Sequence, residues 1–232
     1  MKKTLIMLSL CALLVGCTKD WGTPTTRDYP INAIYSGLEV SNAFQVTVSD
    51  QVSDVVVTVG ELAHEKVLVE VKNGKLHIGF KPNTMYNGVA TAVIPATLLL
   101  DLDLSGASSF TGNLEGNSVD IDLSGASIFK GNVSAERADF DLSGASTFTG
   151  SLDVYKLSFD LSGSSTVTVE GNCHTYMEIN LSGSSYADVT CCSSLEVGLS
   201  GGSTLVYGTV SDDCKPVVNN TTSGGSVVRQ RY

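Results

Sequence analysis

Positive charge is scarce in this sequence. Its 232 residues carry 14 Lys and Arg against 24 Asp and Glu, a formal charge of −10, which becomes −12 once Lys2 and Lys3 are set aside with an N-terminal leader. A balance of that sign argues against nucleic acid and anionic lipid as partners of the domain, since both are held by basic patches. Histidine is equally sparse. His64, His77 and His174 lie far apart in the chain, so no His-centred site is expected. His-Glu-x-x-His and phosphate-cradling loops are absent, and the many serines have no evident partner base. Trp21 is the single tryptophan, which leaves little to stack on a sugar ring. Beyond residue 16 no apolar run is long enough to span a bilayer. These absences together predict a protein that is not an enzyme and takes no cofactor.

The opening residues are targeting rather than fold. Lys2 and Lys3 form a basic n-region, Thr4 to Val15 a short apolar stretch, and Leu14-Val15-Gly16-Cys17 a small-residue cleavage site ending in cysteine. This is a lipobox and resembles the signal of bacterial lipoproteins, so residues 1–16 are read as a signal peptide and Cys17 as the acylated anchor. Two or three acyl chains, at about 0.8 kcal/mol per buried methylene, hold a protein to a membrane without a transmembrane helix. Lys19 and Asp20 beside the anchor resemble the surface-export signal of Bacteroidetes lipoproteins. The expected location is the outer membrane, facing the periplasm or the cell surface, with the membrane as partner through the lipid. The Thr/Pro-rich stretch over residues 17–30 reads as a tether, and 31–232 as one domain.

What the domain has in quantity is repetition. Asp103-Leu104-Ser105-Gly106-Ala107-Ser108-Ser109-Phe110 recurs as Asp122 to Phe129 and Asp141 to Phe148, with weaker copies beginning at Asp160, Asn180, Gly198 and Thr221. From glycine to glycine the steps are 19, 19, 19, 20, 18 and 23 residues. A fixed period of this length marks stacked units and is too short for helical pairs or propeller blades. Within each copy the apolar residues alternate, as in Val119, Ile121 and Leu123 or Ala138, Phe140 and Leu142, with polar residues between them. Period two predicts half-buried strands. A second short strand points Phe110, Phe129, Phe148, Val167, Ala187 and Leu205 to one face. A third piece carries Leu114, Val133, Leu152 or Cys173 after a Gly-Asn corner. The expected fold is all-β, a right-handed parallel β-solenoid (β-helix) with rungs of about 19 residues over 101–228, stacked about 4.8 Å apart.

Residues 31–100 are strand-rich but less regular. Asn73-Gly74 is a hairpin signal, which suggests a sheet capping the coils, while Ser36-Gly37 followed by Phe44 reads as a degenerate rung. The segments Gly37-Leu38-Glu39-Val40, Phe44-Gln45-Val46-Thr47-Val48 and Val69 to Ile78, followed by Leu-Ser-Gly-Ala-Ser repeats, resemble the bacterial family labelled putative auto-transporter adhesin, head GIN domain. The resemblance runs from about Ile31 to Val228. It implies a β-solenoid-like fold in an envelope protein and brings no catalytic residues with it.

Stacking places Asp103, Asp122, Asp141 and Asp160 in one column about 5 Å apart, where repulsion in water is on the order of 1 kcal/mol per neighbouring pair. A solvated face is the main reading and a calcium ladder the second. Pairs such as Asp120/Asp122 or Asp139/Asp141 share a face and invite comparison with glycosidase carboxylates, but repetition counts against catalysis, which needs one special site. Cys173, Cys191, Cys192 and Cys214 remain in the domain. Cys173 lies one rung from Cys191 and Cys192, so disulfides are expected, with Cys214 taking the remaining partner; zinc is the rival, without a Cys-x-x-Cys pair. Two functional classes follow: a surface binding or structural module presenting polar rows to glycan or protein, and a carbohydrate-active β-helix enzyme.

Overall fold

A computed structural model describes residues 19–190, 194–209 and 217–231. The strands in chain order are β1 (Pro24–Tyr29), β2 (Gly37–Val40), β3 (Phe44–Ser49), β4 (Val55–Gly60), β5 (Val67–Lys72), β6 (Lys75–Phe80), β7 (Ala90–Pro95), β8 (Asp101–Leu104) and β9 (Ser109–Thr111). They continue with β10 (Leu114–Leu123), β11 (Ile128–Leu142), β12 (Thr147–Leu161), β13 (Thr166–Leu181), β14 (Tyr186–Thr190), β15 (Ser194–Leu199), β16 (Thr204–Gly208), β17 (Val217–Thr222) and β18 (Val227–Gln230). A 3-10 helix, Glu61–Lys66, follows β4.

From β8 onward every strand pairs in parallel with its equivalent one repeat away, and the register is the repeat itself. Ile121 lies beside Phe140, Phe140 beside Phe159, and Phe159 beside Ile179. The result is a β-solenoid. The first face carries the Asp-Leu-Ser segments, the second face follows the Ser-Gly corner, and the third face completes the coil. The alternating apolar residues all point inward: Phe110, Phe129, Phe148, Val167, Ala187 and Leu205 are fully buried on the second face, as is the Ile121–Phe140–Phe159–Ile179 column on the first.

Each Ser-Gly corner is built the same way. The glycine lies in the left-handed region, at +74° in Gly144 and +73° in Gly201, which costs a residue with a Cβ but not glycine. Its carbonyl accepts a bond from the next rung, as Gly144 O does from Ser164 N at 2.7 Å. The serine that closes the corner turns inward. Ser146, Ser165, Ser185 and Ser203 are buried and donate to the carbonyl three residues earlier at 2.8 to 2.9 Å, so these four hydroxyls are satisfied, whereas the equivalent Ser108 hydroxyl is buried without a partner.

Departures from the period are absorbed locally. The 20-residue step is a bulge, with His174 and Thr175 inserted opposite Tyr155 between the pairs Val154–Cys173 and Lys156–Tyr176. Cys173 consequently stacks on Val154, while Leu152 pairs with Gly171. This corrects the expected third-face alignment of Cys173 with Leu152, because the 19-residue offset holds through Cys173 and the one extra residue enters after it. The 18- and 23-residue steps span 191–193 and 210–216, outside the described residues.

The N-terminal part is both rung and cap. β2 pairs in parallel with β6 on one side and β8 on the other, and β3 likewise lies between β7 and β9. The first rung in sequence is therefore inserted between two later ones. Asn73 and Gly74, at φ 54° and 77°, turn β5 back antiparallel on β6. β4 runs antiparallel to β7, and β1 antiparallel to β4. These strands and the 3-10 helix close the end of the stack.

The tether expected over 17–30 ends much earlier. Pro24–Tyr29 is a strand whose Thr26 Oγ1 meets Thr58 Oγ1 at 2.8 Å and whose Tyr29 hydroxyl lies 2.9 Å from His64 Nδ1. Proline is tolerated there because it opens an edge strand. Trp21 is 7 % exposed and packs edge-on against Tyr86.

Candidate functional site

An open groove of about 860 Å³ runs along the stack where the first face meets the Ser-Gly corner. One wall is the column Asp122, Asp141, Asp160, Asn180, Gly198 and Thr221; the other is Ser124, Ser143, Ser162, Ser182, Ser200 and Ser223, with the leucine strand between. The two columns arise from a single motif, because residues two apart on a strand share a face. Strand pairing repeats each chemical group about every 4.8 Å. The groove is acidic where the aspartates stand and neutral beyond Asn180. Its wall hydroxyls are only loosely engaged where they bond within the protein, as in Ser124 and Ser182, each 3.4 Å from the leucine carbonyl of the preceding rung.

The acidic face carries a few fixed cations. Lys75, on β6, reaches across β2 to Asp101 at 2.7 Å and Asp103 at 2.6 Å. Glycine at position 37 makes this reach possible: a Cβ there would lie 3.0 to 3.3 Å from the lysine side chain. Burial acts to lower the Lys75 pKa, but the hydrogen bonds to Asp101 and Asp103, with their charges, outweigh it and hold the ammonium above its ordinary value. Farther along, Arg137 binds Asp139 through two bonds, at 2.6 and 2.9 Å. Sequence reasoning missed both partners. The only trace of Lys75 is a glycine at the register position that it crosses.

The residues picked out in the sequence fall as follows. Asp103, Asp122, Asp141 and Asp160 do form one column, but in-register pairing spaces them along a line, and Asp103 is held by Lys75. Among the described residues no three His, Cys, Asp or Glu side chains converge on a point that would hold a metal. His64 is buried between Tyr29 and the Thr25 carbonyl, His77 pairs with Glu39 and His174 with Asp153, on separate parts of the molecule. Cys173 is buried, its Sγ 2.9 Å from the Tyr176 carbonyl. Cys17, Cys191, Cys192 and Cys214 lie outside the described residues, and the expected lipidation and disulfide pairings fall there.

Partial burial against the sheet, followed by the charge of neighbouring carboxylates, raises the pKa of Asp122 and of Asp141; Asp120 is raised in the same way. A carboxyl whose folded-state pKa exceeds its unfolded value, about 4, binds its proton more tightly when folded. Its contribution to stability is complete below the unfolded value and is lost as pH rises through the folded one. Calorimetry is expected to show Asp122→Asn and Asp141→Asn at least as stable as the parent at pH 7, with the difference vanishing on acidification towards pH ~4. Variants less stable than the parent only in the presence of calcium would contradict this and make the column a cation site.

Residues 34–209 match the family described as "Putative auto-transporter adhesin, head GIN domain". Among solved structures the chain is similar to a "putative adhesin" from Parabacteroides distasonis, at 21 % identity over 90 % of this chain and 98 % of that one, with a TM-score of 0.71. It is also similar to putative adhesins from Bacteroides fragilis (13 %, 90 % and 97 %, TM-score 0.70) and Parabacteroides merdae (16 %, 91 % and 97 %, TM-score 0.70). At these identities the likeness is one of fold. A search of curated proteins returns no match.

Proposed function

The chain belongs to the head GIN domain family of putative auto-transporter adhesins, and from that premise we propose that it is an envelope lipoprotein, anchored through Cys17, that binds an extended glycan along its groove. The family and its structural neighbours fit a surface-binding role. The observation that carries the finer reading is the groove itself, in which serine hydroxyls recur in register along its length and carboxylates over three rungs. A linear polymer of sugars offers hydroxyls at a similarly regular spacing, and paired rows of donors and acceptors suit it. The aspartates favour neutral or amino-bearing sugars over uronic acids or sulfated ones, which would meet like charge.

Binding is favoured over hydrolysis by the electrostatics. Acid and base carboxylates are recognised by environments that push their pKa values apart, whereas Asp120, Asp122 and Asp141 all move upward for the same reason. A glycan array run beside a peptide array and a product-release assay tests the proposal. Retention of neutral or amino-bearing glycans without product is expected. Retention of peptides alone would overturn the ligand class, and release of reducing ends would establish the carbohydrate-active enzyme instead.

A further inference from the structure

Three of the large apolar side chains that stand in solvent belong to the end of the solenoid nearest the lipobox cysteine. Leu62 is 58 % exposed, Met85 89 % and Val89 67 %. Leu62 donates its backbone N–H to the Trp21 carbonyl at 3.0 Å. Met85 adjoins Tyr86, whose ring packs edge-on against Trp21. Val89 lines, with Trp21, Tyr86 and Lys19, an open cavity of about 650 Å³. The Lys19 ammonium lies 3.9 Å above the indole, and the backbone is bonded to the cap from Trp21 onward, through the Trp21 and Thr23 carbonyls. Cys17 is four peptide units from Trp21, at most about 15 Å between Cα atoms.

We propose that this cap is a membrane-docking surface, with Leu62, Met85 and Val89 entering the bilayer to the boundary between headgroups and acyl chains. The inference rests on the reading of Cys17 as the acylated anchor. A lipid held within four residues of Trp21 leaves only a short tether, so the surface around Trp21 is the one brought to the bilayer, and it presents Leu62, Met85 and Val89. The long faces are less suited to it. The first face is lined with carboxylates and would be repelled by anionic lipid, whereas apolar side chains beside an acyl anchor add to membrane affinity. Docked in this way, the solenoid stands on its cap. The groove starts beyond the cap, at the rung of Asp122, and runs outward to Ser223, with the last rung roughly 40 Å from the membrane at 4.8 Å per rung.

The test uses the lipidated chain in phosphatidylcholine vesicles with brominated acyl chains, which quench tryptophan only within the bilayer. Two variants, Met85→Trp at the cap and Arg229→Trp on the last rung, each keep Trp21, and the emission added by the new residue is read against the parent. Loss of the added emission is expected for Met85→Trp and none for Arg229→Trp. Co-flotation with an unquenched Met85→Trp would overturn the docking while leaving the anchor intact. Equal quenching at both positions would mean that the solenoid lies flat and would overturn it too. A chain that does not float with the vesicles, or a Cys17→Ser variant that floats equally well, would remove the anchor reading and the docking with it.

Discussion

Truncating Phe148 to alanine is expected to cost about 3–5 kcal/mol of stability through lost transfer free energy and the cavity left behind. Phe148 is fully buried and joins two ladders. Its ring stacks on Phe129 at 4.8 Å with 8° between the planes, and on Phe140 at 4.8 Å with 23°; Phe140 in turn meets Phe159 at 4.7 Å. A site can soften such a truncation by collapsing, but here hydrogen-bonded strands on both sides fix the spacing of the neighbours. The loss should therefore fall in the upper half of that range. Urea unfolding is the measurement, and the midpoint should fall with an unchanged slope if the rest of the solenoid folds as before. A loss within the range of ordinary surface substitutions, about 0.5 kcal/mol, would mean that the aromatic column does not carry the core.

The second large effect is expected at a corner glycine. In Gly163, at φ +74°, an added Cβ would sit 2.5 Å from the Gly144 carbonyl oxygen of the preceding rung. Gly74, in the hairpin turn at φ +77°, has nothing within 4 Å of the same position. Gly74→Ala thus incurs only the left-handed backbone term, about 1–2 kcal/mol. Gly163→Ala incurs that term and must also move a carbonyl that bonds the next rung, Ser164 N to Gly144 O at 2.7 Å. Thermal unfolding of the two variants should separate them clearly, with Gly163→Ala the less stable. Equal losses would show that the corners stack loosely and that conformation alone selects glycine.

Most of the solenoid was legible because one residue pattern specifies both its strands and their partners. Leu104, Leu123 and Leu142 are spaced by the period and end up side by side, so the repeat states the register outright. The Asn73-Gly74 turn was equally plain, since local conformation decides it. What could not be read was order in space. Nothing in residues 37–49 says that β2 and β3 will lie between β6 and β8 and between β7 and β9, because non-local pairing is chosen by the fit of whole faces. Trp21 and Thr25 looked like part of a tether for a related reason: a lone aromatic and a few threonines declare no period, and only the cap that they cover gives them a place. At the site, the carboxylate and serine columns were visible as repeated letters, yet the groove between them was not, nor was Lys75 lying across Gly37.

The claim that the groove is the binding surface is tested most directly by filling it. Ser143 stands second among the six serines of the groove wall, and Thr149 is exposed on the second face of the same stack. With a glycan retained on the array as ligand, isothermal titration of Ser143→Trp and Thr149→Trp compares a blocked groove with an equally enlarged but distant surface. Ser143→Trp is expected to lose at least tenfold in affinity, about 1.4 kcal/mol, while Thr149→Trp binds as the parent does. Parent-like binding by Ser143→Trp, or a loss confined to Thr149→Trp, would place the ligand elsewhere and contradict the account.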